Sequence, residues 1–157
     1  MWQARLETGT MTGLESTPNI RIVIVEKHAA VRRALRKRLS ASPRLEVVTA
    51  VPEASAALAY LNDPENQNGR CGPNVVLIGL QNGPDEELFR TLKTIEQIVR
   101  LPAVVIALAP YADEVERLLL QQAGVFGYLL KYIDSGRLIQ VIETAAQRGL
   151  SPLAASS

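Results

Sequence analysis

Short apolar runs alternate with amphipathic stretches along most of this 157-residue chain. The run from Val75 to Leu80 is continuously apolar, as expected for a strand whose two faces are both buried in a parallel sheet. Four other runs are rich in β-branched or aliphatic residues and end at polar turns. The predicted strands therefore cover residues 20–25, 45–51, 74–80, 103–109 and 125–130.

Apolar residues recur every three or four positions between these strands, which predicts helices that each bury one face. The predicted helices cover residues 28–42, 53–61, 84–100, 112–123 and 134–148. The first helix is predicted to bury Val31, Ala34, Leu35 and Leu39, and the fourth Val115, Leu118, Leu119 and Ala123. Gly124 and Gly149 are predicted to end the last two helices.

The strict alternation of five strands with five helices predicts the fold class. Such an order implies βαβ crossovers, and hence an α/β fold with a doubly wound, five-stranded parallel sheet and helices on both faces. We expect a single domain over residues 19–149. A flexible leader at 1–18, an exposed polar loop at 62–73 and a linker-like tail at 150–157 complete the predicted organisation.

Composition narrows the classes of function. The hydrophobic fraction of 47% and the charged fraction of 21% are those of an ordinary globular domain, and the apolar runs are too short to span a membrane. Cys71 is the single cysteine, so an internal disulfide is excluded and a cytoplasmic location is expected. With one histidine and one cysteine, we expect neither a metal site nor a cofactor.

The first predicted helix carries a strongly basic run, RRALRKR at 32–38, with five cations in seven residues. A solvated helix face is the simplest interpretation, and docking to an acidic protein surface or to nucleic acid are the alternatives. The net charge of +1 does not favour a nucleic-acid partner, and none is expected to bind directly.

Polar side chains follow several strands at the edge where a doubly wound sheet binds its ligands, beyond the carboxyl ends of the strands. These positions hold Glu26, Lys27 and His28 after the first strand, Gly79 at the third, Ala109 at the fourth and Lys131 after the fifth. His28 is interpreted as a helix-start residue, because no second histidine and no nearby serine or cysteine supports a catalytic role.

The stretches IRIVIVEKHAAVRRALRKRL, PNVVLIGL and LPAVVIALAPYADEVERLLLQQAGVFGYLLKY resemble the receiver domain of two-component response regulators. The resemblance covers about residues 20–149, and APYADE with QAGVFGYLLK is its most specific part. It implies a flavodoxin-like three-layer sandwich with strand order 2-1-3-4-5. It also implies phosphoryl transfer to an aspartate at the end of the third strand, assisted by Mg²⁺ on two acidic residues, a Thr or Ser, and a Lys.

Carried over position by position, the family's site is incomplete in this chain. The acidic pair falls on Glu26 and Lys27, the phosphoacceptor on Gly79, the Thr or Ser on Ala109, the Lys on Lys131 and the aromatic switch residue on Tyr128. Gly79 cannot accept a phosphoryl group, Lys27 is a cation in place of a metal ligand, and Ala109 lacks the hydroxyl. We therefore interpret the chain as a degenerate pseudo-receiver without catalytic residues.

The resemblance favours a non-enzymatic signalling module, in a pathway of signal transduction or transcriptional regulation, whose state is set by a protein partner or by homodimerisation. We expect Glu26 to pair with Lys131 or Lys27. Leu120 is predicted to project away from the buried face of its helix, so that Leu120 and Tyr128 contribute to a partner contact. A small-ligand or anion sensor that uses the edge between Lys27 and Lys131 is the alternative.

An enzyme on the same sheet is disfavoured, because no nucleophile–base pair lies at the expected edge and no glycine-rich phosphate loop follows the first strand. The Gly-Leu-Ser-Pro stretch that begins at Gly149 is similar to the one that follows the receiver in regulators with a DNA-binding output domain. A fragment of such a regulator and an orphan receiver are both open interpretations.

Overall fold

The computed structural model describes residues 20–67 and 74–150. Its strands are β1 (Ile20–Val25), β2 (Leu45–Val51), β3 (Asn74–Gly79), β4 (Ala103–Ala109) and β5 (Gly127–Leu130). Its helices are α1 (Ala29–Ser40), α2 (Ala54–Asn62), α3 (Asp85–Ile98), α4 (Glu114–Ala123) and α5 (Ser135–Leu150), and a single helical turn (Pro64–Gln67) follows α2. The predicted leader at 1–18, the loop residue Cys71 and the tail beyond residue 150 lie outside the described residues.

The five strands form one sheet in the order β2-β1-β3-β4-β5, and all neighbouring pairs are parallel. This confirms the predicted fold class and strand order. The order reverses between β1 and β3, so the chain leaves these two neighbouring strands toward opposite faces of the sheet. A doubly wound sheet opens a crevice at the carboxyl ends of such a pair.

The core has two layers, one on each face of the sheet. Helices α1 and α5 cover one face, where Ile22, Leu39 and Ile142 are fully buried. Helices α2, α3 and α4 cover the other, with the fully buried Ile95 and Leu120 at its centre. Strand β1 is buried at every position, as the parallel-sheet interpretation requires.

Helix α1 packs through a narrower stripe than the sequence predicts. Leu35 and Leu39 are buried, whereas Val31 and Ala34 are exposed. The prediction that Val31 and Ala34 are core residues is therefore wrong. Val31 lies in the first turn of α1, which begins just beyond the carboxyl end of β1 at the edge of the sheet. Ala34 lies about 100° around the helix axis from the buried Leu35 and so falls outside the packed stripe.

Helix α4 is rotated relative to the predicted orientation. Val115 and Leu118 are 67% and 45% exposed, whereas Leu120 is fully buried with Ala123 beside it. The predicted burial of Val115 and Leu118 is wrong, and so is the prediction that Leu120 projects outward. The helix has apolar residues on two overlapping stripes. Because each residue turns the helix by about 100°, Leu120 lies about 200° around the axis from Leu118. Packing against the sheet buries the stripe through Leu120.

The two predicted helix ends have different outcomes. Gly124 caps α4 in the left-handed conformation with φ of 103°, which confirms the predicted stop. Helix α5 instead continues through Gly149 to Leu150, so the prediction of an end at Gly149 is wrong. A glycine inside a helix costs only about 1 kcal/mol relative to alanine, which is too little to end it without a left-handed turn.

Candidate functional site

The parallel strands bring the predicted site residues to one edge of the sheet. Val25 pairs with Ile78 across β1 and β3, Gly79 pairs with Leu108 across β3 and β4, and Ala109 pairs with Leu130 across β4 and β5. The residues that end or follow these strands, Glu26, Gly79, Ala109 and Lys131, are therefore neighbours in space.

Glu26 is the centre of this edge, and its side chain is only 1% exposed. Its Oε1 accepts a hydrogen bond from Lys131 Nζ at 3.0 Å, the first of the two pairings expected from the sequence. Its Oε2 accepts hydrogen bonds from the His28 backbone N–H at 3.0 Å and from Gln81 Nε2 at 3.1 Å, and His28 Nδ1 lies 3.2 Å away. Both carboxylate oxygens are thus engaged.

The charge state of Glu26 follows from these contacts. Burial raises the pKa of the Glu26 carboxyl, because it penalises the charged form. The hydrogen bond from the His28 backbone, the ammonium of Lys131 and the amide of Gln81 outweigh that effect and hold the pKa below its ordinary value of 4.5. Glu26 is therefore a buried, compensated anion at neutral pH.

Gly79 lies against this carboxylate, and only a residue without a side chain fits there. A β-carbon built on Gly79 would collide with Glu26 Oε1 and would lie 3.3 Å from the backbone oxygen of Val25. The carboxylate of β1 thus occupies the space into which a side chain at residue 79 on β3 would project. The glycine is explained by this close approach.

Lys27 points away from the Glu26–Lys131 pair. Its Nζ lies 3.8 Å from Glu87 Oε2 at the start of α3, and its side chain is 61% exposed. Lys27 and Lys131 nevertheless both line an open depression at this edge, together with His28 and Gln81. The two lysines therefore flank one depression, while Lys27 pairs with Glu87 and Lys131 with Glu26.

Three further residues, His28, Gln81 and Arg32, hold Glu26 in place at this edge. His28 directly precedes α1, as predicted, and also holds Glu26 through its backbone. Gln81 follows the third strand at the predicted edge, but no role was predicted for it from the sequence; its amide, two residues beyond the end of β3, is the signal that could have indicated one. Arg32 Nη1 donates to the Glu26 carbonyl at 2.7 Å and ties α1 to the site.

The basic run of α1 is divided between structural and exposed cations. Arg38 donates to the Ser135 hydroxyl at 3.0 Å and to the Ile133 carbonyl, and so joins α1 to the loop before α5. Arg32 serves the site edge as described. The remaining three cations, Arg33, Arg36 and Lys37, are exposed, in agreement with the predicted solvated face.

Tyr128 of β5 is held against the start of α4. Its hydroxyl donates to Glu116 Oε1 at 2.7 Å and accepts from the Asp113 backbone N–H at 3.2 Å, and Asp113 caps α4 through the Glu116 N–H. Burial and the neighbouring Glu116 carboxylate raise the pKa of Tyr128 far above its ordinary value. Leu120 is fully buried and offers no surface beside Tyr128.

The Mg²⁺ that the receiver resemblance implies does not fit these residues. A hard cation needs several oxygen ligands with free lone pairs. The oxygens of Glu26 are both engaged, Lys27 is a cation, and Gly79 supplies no side chain. Within residues 20–67 and 74–150, no group of three or more His, Cys, Asp or Glu residues could hold a metal ion.

The helices of the described part of the chain include none that is both long and apolar enough to cross a membrane. No protein-family model matches the chain. The transcriptional regulatory protein DegU of Brevibacillus brevis is 29% identical over 131 residues, which are 83% of this chain and 51% of that protein. The chain therefore spans about half the length of this curated relative.

Solved structures share the fold. The signal receiver domain of NarL from Mycobacterium tuberculosis superposes with a TM-score of 0.64 at 21% identity, covering 83% of this chain and 98% of that one. The phosphorylated cyanobacterial phytochrome response regulator RcpA gives a TM-score of 0.58 at 25% identity, with 85% and 95% covered. A two-component response regulator of the LuxR family from Aurantimonas gives 0.62 at 21% identity, with 82% and 86% covered. Strand order and superposition show that the chain has the fold of these receiver domains.

Proposed function

We propose that this chain is a pseudo-receiver, which acts in signal transduction through protein contacts and is not phosphorylated. One observation carries the proposal: the acceptor position of the receiver resemblance is Gly79, and the carboxylate of Glu26 occupies the space beside it. The similarity to DegU, a transcriptional regulatory protein, favours a role in the control of transcription. A cytoplasmic setting is proposed because Cys71 is the single cysteine of the sequence.

The chemistry of phosphoryl transfer argues for the same conclusion. Transfer to a receiver needs a free carboxylate nucleophile, a metal ion and donors that stabilise the charge of the moving phosphoryl group. Glu26 does not replace the missing nucleophile, because its side chain is 1% exposed and both of its oxygens accept hydrogen bonds. Ala109 is buried and has no hydroxyl to contact a phosphate.

The test is incubation with a small-molecule phosphodonor and Mg²⁺, followed by intact-mass measurement. A receiver with an intact acceptor aspartate, treated in parallel, serves as the positive control. We expect the control to gain a phosphoryl group while this chain keeps its mass. A stable adduct on this chain, mapped to Glu26 or any other residue, would overturn the proposal.

The partner contact is proposed on the face formed by α4, β5 and α5. Because Leu120 is buried, the apolar residues that α4 offers to a partner are Val115 and Leu118, with Tyr111 exposed in the preceding loop. The Tyr128 hydroxyl is hydrogen-bonded to Asp113 and Glu116 at the start of the same helix. Isolated exposed apolar residues are common, but Val115 and Leu118 lie one turn apart on the same helix and so form a continuous apolar surface.

The contact is tested by substituting Leu118→Glu and measuring oligomeric state by gel filtration with light scattering, together with recovery of co-purifying proteins. Phe89→Glu, at a residue of α3 that is 51% exposed, is the matched control. We expect Leu118→Glu to abolish a homodimer or a partner complex that Phe89→Glu retains. Equal behaviour of the two variants would remove this face from the proposal.

The alternative function, a small-ligand or anion sensor, is favoured by the depression that Lys27 and Lys131 line together. The contacts of both lysines with carboxylates weaken it, because Glu26 and Glu87 neutralise much of their charge. Titration of inorganic phosphate into labelled protein, followed by NMR, tests it. Saturable shifts at Lys27 and Lys131 would favour the sensor over the contact module.

A further inference from the structure

We propose that Glu26 replaces, from the neighbouring strand, the carboxylate that a receiver carries at residue 79, and acts as a permanent internal partner of Lys131. The inference rests on the proposed function and deepens it. On this view the site has kept a carboxylate–lysine pair and has lost the chemistry, because the lysine pairs with the carboxylate that follows β1 and residue 79 on β3 has no carboxylate. The glycine at residue 79 leaves the space that the Glu26 carboxylate occupies, so the two residues depend on each other.

The Glu26 carboxylate lies where a side chain at residue 79 would begin. A β-carbon at residue 79 would collide with Glu26 Oε1, so the glutamate carboxylate cannot keep its present position beside a side chain at residue 79. The backbone oxygen of Val25, 3.3 Å from the same β-carbon, leaves little room for residue 79 to shift. A glutamate side chain is long enough to reach across from β1 to β3, which are hydrogen-bonded neighbours in the sheet.

The electrostatic observation is independent of the steric one. The oxygen that fills the space at residue 79, Oε1, is the same oxygen that accepts the hydrogen bond from Lys131 at 3.0 Å. Its partner oxygen is held by the His28 N–H and by Gln81, and Gln81 Nε2 also donates to the Gly79 carbonyl at 3.1 Å. The carboxylate is therefore fixed in place by groups that follow β1, β3 and β5.

The consequence is a receiver whose lysine is always paired. The Lys131 backbone N–H donates to the Ala109 carbonyl at 2.8 Å, so a fixed Lys131 also holds the ends of β4 and β5 together. A switch requires an input that binds its two states differently. A covalent phosphoryl group has no place to attach here, and the buried pair holds the edge in one arrangement.

Exchanging the two side chains tests the idea. The variants are Glu26→Ala, Gly79→Asp and the transposed double variant with both changes, compared with the wild-type chain by thermal unfolding. We expect each single change to lower the melting temperature by about 5–10 °C, since one leaves Lys131 unpaired and the other creates a collision. The double variant returns an acidic side chain to residue 79, so it should recover most of that loss.

Additive losses in the double variant would overturn the inference. If Gly79→Asp alone does not fold, a folded double variant supports the transposition, and an unfolded one overturns it. Gly83→Asp in place of Gly79→Asp gives the matched control cycle, because a β-carbon at Gly83 meets only the Glu87 side chain and not Glu26. We expect no recovery when Gly83→Asp is combined with Glu26→Ala.

A second measurement separates pairing from general stability. Lys131 Nζ should react with an acylating reagent roughly tenfold faster in Glu26→Ala, a factor that corresponds to about 1.4 kcal/mol of pairing, and should slow again in the double variant. Lys37, exposed on α1, is the internal reference. Equal labelling of Lys131 in wild type and Glu26→Ala would contradict the inference.

The two proposals fail separately. Phosphorylation of the wild-type chain by a phosphodonor would refute the proposed function whatever the thermal cycle shows. Additive thermal losses with no phosphorylation would leave the contact module in place and remove only the relocated carboxylate.

Discussion

Replacing Lys131 by methionine is the most direct test of the energetics at the strand ends. The change removes the ammonium that lies 3.0 Å from Glu26 Oε1 and keeps an unbranched side chain of similar length. The Glu26 side chain, 1% exposed in the wild-type chain, then keeps its negative charge, and the His28 N–H and the Gln81 amide still donate to it.

The expected loss can be bounded from these contacts. Removing one partner of a buried ion pair typically costs about 3–5 kcal/mol, because an uncompensated charge is left behind. The Lys131 side chain is 22% exposed and other groups still donate to the carboxylate. We therefore expect the loss of stability to be close to that of removing one charge-assisted hydrogen bond. We therefore expect Lys131→Met to lower the free energy of unfolding by about 2–3 kcal/mol.

Urea denaturation at neutral pH measures this loss as a fall in the midpoint of about 1–2 M, with an unchanged dependence on denaturant. Arg44→Met is the control, since Arg44 pairs with Glu143 at 3.5 Å on the surface and its side chain is 50% exposed. We expect the control to lose less than about 1 kcal/mol. A double variant with methionine at both Lys131 and Glu26 should regain much of the stability, because no charge is left buried.

Two results would refute this reasoning. A loss for Lys131→Met no larger than that for Arg44→Met would mean that solvent or another group compensates the charge of Glu26. Alternatively, the double methionine variant could be less stable than Lys131→Met alone, which would mean that the carboxylate is held by its other donors and not by the lysine.

Three further predictions concern the core, the pH dependence and a helix end. Leu120→Ala should lower the free energy of unfolding in urea by about 3 kcal/mol, because Leu120 is fully buried, and Leu118→Ala should lower it by less than about 1 kcal/mol, because Leu118 is 45% exposed. Equal losses would contradict the orientation of α4. The pKa of Glu26 in the folded chain is below 4.5, so its charge stabilises the fold above that pH. The difference in unfolding free energy between wild type and Glu26→Gln should therefore shrink as the pH falls from 4.5 downward. A constant difference would contradict this. Gly124→Ala should cost about 1–2 kcal/mol in thermal unfolding, since φ is 103° and the new β-carbon would lie 3.1 Å from Val99 Cγ2; a neutral change would contradict the strain.

Much of the site could be predicted because it depends on strand ends. Parallel strands place their carboxyl ends at one edge, so Glu26, Gly79, Ala109 and Lys131 could be grouped from the order of elements alone. The contact between Glu26 and Gly79 could not, because it depends on the direction of one side chain across two strands. The role of Gln81 was missed for the same reason.

The orientation of α4 shows where periodicity stops being informative. Its apolar residues fit two overlapping stripes, one through Val115 and Leu118 and the other through Leu120 and Ala123. Hydrophobic spacing cannot choose between stripes of similar apolar content, because it carries no information about where the sheet lies. Packing against the sheet buries Leu120 completely and leaves Val115 and Leu118 at the surface, where a partner contact is now proposed.

The sequence by itself determined the elements, their order and the residues that share the functional edge, because strand and helix periodicity and the βαβ alternation are local properties of the chain. It also determined that residue 79 carries no acceptor group. Only the tertiary structure decided that the carboxylate of Glu26 lies against residue 79 and that Lys131, of the two lysines predicted, is its partner. That arrangement depends on side chains from three strands meeting within hydrogen-bonding distance, and no spacing along the chain encodes such a meeting.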